Sequence, residues 1–236
     1  MTPAAIAVIA ATVVTAAFVQ GITGIGFALV VAPVLGLLAP ELIPVCLLLL
    51  MIPLNVYVAW RERAALDRRG AIWITLGRFA GTFGGLWLLM MLSSSHLNIL
   101  IGAATVLAAV ATLIAPGFGP GRPAFVAAGL VTGVTETATG IGGPPLALVY
   151  QHQAASVLRS TLAFCFVVGQ LISLVFLAVA GQTSLSQFAA AALLMPALAV
   201  GAILSRLVHR RVDGRLLRGV VIGFAMASGA VLLFRS

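Results

Sequence analysis

Apolar residues along this chain run in long blocks, and nearly all of its arginines fall in the short gaps between them. A helix that crosses the hydrocarbon of a bilayer needs about 20 such residues. Six blocks fit that length: Leu42–Trp60, Ala71–Leu92, Leu97–Ala115, Ser160–Ala180, Leu185–Leu207 and Leu216–Phe234. Two more, about Ala4–Ala39 and Ala124–Tyr150, do not read as plain spans. Gly21-Ile22-Thr23-Gly24-Ile25-Gly26 interrupts the first, and Thr137-Ala138-Thr139-Gly140-Ile141-Gly142-Gly143-Pro144-Pro145 interrupts the second. Closely spaced glycines and a proline pair break helices.

The two breaks share four letters, Thr23-Gly24-Ile25-Gly26 and Thr139-Gly140-Ile141-Gly142, and proline follows in both, at Pro33 and at Pro144-Pro145. Three plain spans follow each broken block. The pattern predicts an internal duplication, residues 1–117 and 118–236, joined through the connector Pro116-Gly117-Phe118-Gly119-Pro120-Gly121 as halves of one integrated membrane domain.

Composition agrees. The 236 residues are 62% hydrophobic and 8% charged, with a mean hydropathy of +1.20. A soluble domain carries about a quarter charged residues, and disorder needs the opposite composition. The 13 basic residues are all arginine against five acidic ones, a formal charge of +8. In loops between apolar blocks that charge reports topology, not nucleic acid, and its partners are anionic lipid headgroups. Arg61, Arg63, Arg68 and Arg69 form one cluster, and Arg206, Arg210, Arg211 and Arg215 another. If each broken block crossed once, the clusters would lie on opposite faces. If each enters and returns, both lie in the cytoplasm with Arg122 and Arg159, while the arginine-free loops Ser93–His96 and Gly181–Ser184 lie outside. Two full crossings per broken block satisfy the same count, although each half-segment is short for that. The expected fold is therefore an all-α polytopic membrane protein of two inverted repeats. Each repeat is a broken or re-entrant segment plus three transmembrane helices, and both termini lie outside. Met1-Thr2-Pro3 leads into an apolar run without a basic region, so no cleavable signal is expected.

Inverted repeats with broken helices that meet near the midplane are a recurrent plan of secondary transporters. Irregular backbone at that depth must be buried in protein or line a wet cavity, so both breaks are expected to face one internal site. Half-helices beginning near Phe27 and near Pro144 or Pro145 would direct partial positive charge into it, making an anion site without a basic side chain. The hydroxyls of Thr23 and Thr139 could add donors. The alternative is that glycine and proline merely kink ordinary helices.

Glu136, in the second break, is a candidate for proton coupling or gating; its structural alternative is a salt bridge, with Arg78 as the partner at hand. Arg78 itself would either snorkel to the headgroups or touch substrate. Asn55 and Gln170 would line the cavity or hydrogen-bond between helices. Gln20 and Thr23 stand where the first half lacks a carboxylate. His96, His152 and His209 are scattered near the membrane surfaces without metal spacing. Cys46 and Cys165 are expected to be small packing residues. Gly77, Gly81 and Gly85, with Gly129/Gly133 and Gly219/Gly223, predict close helix packing, which permits a homodimer without requiring one. Trp60 and Trp73 suit interfacial anchors, and Trp87 suits packing. The chain has no HExxH, CxxC, P-loop or Gly-x-Ser-x-Gly motif, so neither an enzyme nor a metal or cofactor is expected.

Gly21-Ile-Thr-Gly-Ile-Gly-Phe with Pro33, and Gly133 through Gly140-Ile-Gly-Gly-Pro-Pro, resemble the paired glycine-rich signatures of the sulfite exporter TauE/SafE family. The likeness extends to chain length, the two-half layout and the connector. It implies export of a small anion such as sulfite or sulfoacetate across a bacterial inner membrane, coupled to protons. Residue by residue it places anion binding at Thr23, Gly24 and Gly26 and at Thr139, Gly140, Gly142 and Gly143. Arg78, Asn55, Gln170 and the proton-coupling Glu136 are added from the residues themselves. The second signature is longer and carries Glu136, so the two halves are not expected to play equal roles. A passive anion channel of the same fold is the alternative, ahead of an intramembrane enzyme.

Overall fold

The computed structural model describes residues 2–92, 94–114, 121–208 and 214–235. Pro116–Pro120 of the connector, His209, Arg210 and Arg211 lie outside the described residues. Among those described there are ten α-helices and no strand. They are α1 Pro3–Thr23, α2 Phe27–Leu38, α3 Val45–Arg61, α4 Arg68–Met91, α5 Ser94–Ile114, α6 Arg122–Thr139, α7 Gly143–Tyr150, α8 Ala155–Val179, α9 Leu185–Val208 and α10 Gly214–Arg235. The six blocks expected as plain spans are the helices α3–α5 and α8–α10. Each broken block is two helices. α1, α4, α8 and α9 are long and apolar enough to cross a membrane.

Local chemistry sets the helix ends. Thr2 caps α1, its Oγ1 accepting from the Ala5 amide at 3.3 Å, with Pro3 in the first turn where a missing N–H costs nothing. Asp67 caps α4, accepting from the Gly70 amide at 3.0 Å. One expectation is corrected here. The segments of the first broken block are not both short, because the 21 residues of α1 span ~31 Å, a full hydrocarbon thickness. Its partner α2 has 12 residues.

Glycine contacts fix how the long helices lie. Cβ atoms built on Gly77, Gly81 and Gly85 of α4 would fall on the carbonyl oxygens of Val126, Leu130 and Val134 of α6, so the two helices run parallel with their backbones touching. Gly129 and Gly133 meet the carbonyls of Ile74 and Arg78 from the other side. In the same way Gly201 of α9 meets the Val14 carbonyl of α1, and Gly21 meets Ser205. The fourth helix of each half thus lies along the first helix of the other, and α3 crosses α8, the third helices of both halves. The α4 and α6 glycine ridge is spent inside the molecule. Gly219 and Gly223, expected to pack closely, instead face open space. Trp87 is corrected too: it is 62% exposed on the outside of the bundle.

Arg61, Arg122, Arg159 and Arg206 gather at one end. Arg122 lies over the Trp73 ring at 5.3 Å, Arg206 over Tyr57 at 3.9 Å, and Arg159 Nε donates to Glu62 at 3.1 Å. Tyr150 OH, closing α7, donates to Asp67 at 2.8 Å at that same end, so α6 and α7 enter from the arginine end and return to it. At the other end Gln187 Nε2, in the first turn of α9, donates to the Glu41 carbonyl at 2.9 Å just beyond α2. α1, parallel to α9, starts there and α2 returns there. Cysteines placed at Arg63 and Arg206 should therefore react with a membrane-impermeant thiol reagent from one side of the membrane, and one placed at Ser186, exposed beside Gln187, from the other. Labelling of Arg63 and Arg206 positions from opposite sides would refute this arrangement.

Candidate functional site

Both breaks are built by the same local rule. α1 ends when Gly24 turns left-handed, φ 82° and ψ −8°, and its amide donates back to the Gln20 carbonyl at 2.8 Å. α6 ends when Gly140 does the same, φ 78° and ψ 0°, its amide donating to Glu136 at 2.8 Å. Residues with a Cβ adopt that conformation only at a cost, which is why glycine stands at both stops. Ile25 N–H donates to Thr23 Oγ1 at 3.4 Å, and Ile141 N–H to Thr139 Oγ1 at 3.2 Å. The two threonine hydroxyls are placed to donate to backbone carbonyls: Thr23 to Val19 or Ile25, Thr139 to Thr135 at 2.6 Å. They brace the breaks, and the expectation that they serve as free donors is corrected, because each hydroxyl has a single proton.

Past the glycines the two differ. α2 starts at Phe27, and the amides of Ala28 and Leu29 in its first turn have no partner within their helix. α7 starts at Gly143 and carries Pro144 and Pro145 in its first turn, which have no N–H to offer. The positive helix end is therefore richer in donors on the α2 side.

A cavity of about 40 Å³ lies between them, room for roughly three waters. The first break lines it with Gln20, Thr23, Ile25 and Gly26, the second with Ile141, Gly143 and Pro144; Met51, Phe166 and Ile222 are among the remaining wall. Of the residues singled out in the sequence, Thr23, Gly26 and Gly143 stand on that wall. Gly24 lies against Arg159 and Gly140 against Leu47, each behind its own break. Thr139 and Gly142 are buried, and Gly142 abuts the Glu136 carboxylate, 2.9 Å from where its Cβ would sit.

Asn55, Gln170, Glu136 and Arg78 form a buried polar chain that begins at the cavity. The Phe27 amide donates to Gln20 Oε1 at 3.1 Å, and Gln20 Nε2 to Asn55 Oδ1 at 3.1 Å. Asn55 Nδ2 donates to Gln170 Oε1 at 3.3 Å, and Gln170 Nε2 to Glu136 Oε1 at 3.0 Å. Every donor points toward the carboxylate, so the amides polarise one another in one direction. Arg78 Nη2 closes the chain as an ion pair with Glu136 Oε2. Arg78 is only 1% exposed, which corrects the idea that it snorkels to the headgroups.

Gln20 is the wall residue whose weight the sequence understated. It stands four residues before Gly24 as Glu136 stands four before Gly140, so overlaying the repeated tetrads marks it. Phe166, also on the wall, and Gly169, which makes room for the Arg78 side chain, carry no such signal.

The model of the family described as Sulfite exporter TauE/SafE matches residues 8–232. No curated protein and no solved structure matches the chain.

Proposed function

The chain belongs to the sulfite exporter TauE/SafE family, and from that premise we propose that it carries a small sulfur oxoanion or organosulfonate, sulfite or sulfoacetate, out of the cell by alternating access. The family is one of transporters, and the chain is a multi-pass membrane protein. The observation that carries the proposal is the single cavity walled by both breaks. Orphan amides of α2, the Gly143 backbone and the Gln20 side chain would hold the anion, with Thr23 bracing the wall beside it, and its charge would be met by the two helix starts. Gly24, Thr139, Gly140 and Gly142 would shape the site from behind. Asn55, Gln170 and Arg78 would act from deeper in the bundle, with Glu136 as the group through which protons enter the cycle.

The reciprocal pairing of α4 with α6 and α1 with α9, and hairpins that open from opposite ends, support reading the halves as inverted repeats that rock against each other. With the arginine end in the cytoplasm, both termini lie outside a bacterial inner membrane.

The small cavity favours a compact oxoanion. Purified protein should be stabilised against heat by sulfite at low concentration, less by sulfoacetate, and not by small carboxylates; a ligand at about 100 times its Kd adds ~2.7 kcal/mol. Sulfite should also exchange across proteoliposomes that contain the protein. Neither stabilisation nor exchange with any of these anions would refute the proposal.

A further inference from the structure

Arg78 is buried with its Nε and Nη1 lacking any hydrogen-bond partner. A buried donor left unmade is costly, and more so on a charged group, so each such case calls for an unseen partner. The surroundings are shaped for this side chain. Gly169 of α8 leaves space that a Cβ would take from the guanidinium, and the Phe166 ring lies 5.5 Å from Arg78 Cζ. Phe166 also lines the cavity, so the arginine stands behind one aromatic wall of the space between the breaks. Glu136 engages only Nη2, and its second oxygen accepts from Gln170.

A buried guanidinium cannot lose its proton and needs one negative charge nearby. In the structure Glu136 supplies it. We propose that the transported anion, moving on from the cavity past Phe166, and one proton bind here together: the proton on the Glu136 carboxylate, and the anion on the Arg78 donors that the carboxylate leaves free. This rests on the anion-transporter reading above and adds its coupling. The exchange balances. Before it, the site holds a cation and a carboxylate; after it, the same cation, a neutral carboxylic acid and the bound anion. A monoanion then travels with its proton as an electroneutral pair. A dianion with one proton carries a single negative charge, which an inside-negative potential drives outward.

The other titratable and polar groups around the pair are few. α8 presents the buried Cys165 with Gln170 and Ser173, and α3 presents Asn55. The titratable group of α7 is Tyr150, tied to Asp67 at the arginine end, and that of α5 is His96 in its first turn.

The test uses purified protein with methanesulfonate and sulfate, whose charges stay fixed over a pH series. Wild-type affinity should fall about tenfold per pH unit above the titration of Glu136, the slope for one linked proton. Glu136→Gln should have a lower Tm without anion, a larger anion-induced rise in Tm than wild type, and affinity independent of pH. Arg78→Gln combined with Glu136→Gln removes both charges; it should be stable without anion and show no anion-induced rise. In proteoliposomes, methanesulfonate entry should ignore membrane potential and bring protons in the same direction. A Glu136→Gln protein whose binding keeps the wild-type pH slope, a double variant that keeps the anion response, or protons moving against the anion would overturn the proposal. Wild-type binding with no pH dependence would sink the co-binding of proton and anion while leaving the anion site standing. Failure of every anion to stabilise the wild type would remove both.

Discussion

Replacing Gly81 by leucine is expected to eliminate the folded protein. In a bilayer no hydrophobic force holds helices together, so association relies on close packing of small residues. α4 and α6 meet backbone to backbone along Gly77, Gly81, Gly85, Gly129 and Gly133, and a side chain at position 81 would collide with the Leu130 carbonyl. Carbonyl oxygens of a helix cannot swing aside, so the helices must part. Overpacking alone costs ~1–3 kcal/mol. Here the loss is compounded, because this seam holds Arg78 of α4 against Glu136 of α6, and separating a buried ion pair costs ~3–5 kcal/mol. Together these approach the whole stability of a typical domain, ~5–15 kcal/mol. Size-exclusion chromatography of the detergent-solubilised variant should show aggregate in place of the wild-type peak. Phe83→Leu, on the same helix but 49% exposed on the bundle's outer surface, should elute as wild type. A Gly81→Leu protein with the wild-type profile and Tm would show that the seam is not packed as described.

What could be read along the chain was what depends on neighbours in sequence. The helices α3–α5 and α8–α10 follow from block length, and of these α4, α8 and α9 are long and apolar enough to cross a membrane. Both breaks follow from Gly24 and Gly140, since the left-handed stop is a property of the residue itself. The gathering of Arg61, Arg122, Arg159 and Arg206 at one end follows from counting crossings. The bracing role of Thr23 and Thr139 was also local, as threonine late in a helix tends to donate to the carbonyl four residues back, but free hydroxyls were expected there.

The rest depends on long-range geometry. The Gln20–Asn55 and Asn55–Gln170 hydrogen bonds join residues 35 and 115 positions apart, and no spacing rule links them. The depth of Arg78 was obscured because it stands ten residues into α4, where a long side chain could in principle reach either way; Gly169 and Phe166, on another helix, decide it. The two segments of the first broken block read as short, whereas the left-handed stop at Gly24 comes late enough to leave α1 a full span and α2 the shorter return.

Position 143 offers the cleanest intervention at the site itself. Most glycines near the breaks cannot be enlarged without damage: Gly24, Gly26 and Gly140 have positive φ, and Gly142 abuts the Glu136 carboxylate. Gly143 differs. Its φ is not among the positive ones, a Cβ there meets nothing within 4 Å, and it lines the cavity. A valine would project into open space of about 40 Å³ where the anion is placed. As no protein atom is displaced, the variant should still fold, at the cost of the strain a β-branched residue meets in helical conformation before Pro144, while the cavity loses most of its room and the α7 amide is screened by a branched side chain. Loss of binding without loss of fold separates a site from a structural role.

The measurement is therefore sulfite exchange by Gly143→Val in proteoliposomes, alongside its Tm. A folded protein with a modestly lowered Tm and exchange reduced at least about tenfold, a loss of ~1.4 kcal/mol of binding or more, is the expected result. Exchange at the wild-type rate from a protein with valine at this position would contradict an anion site between the two breaks.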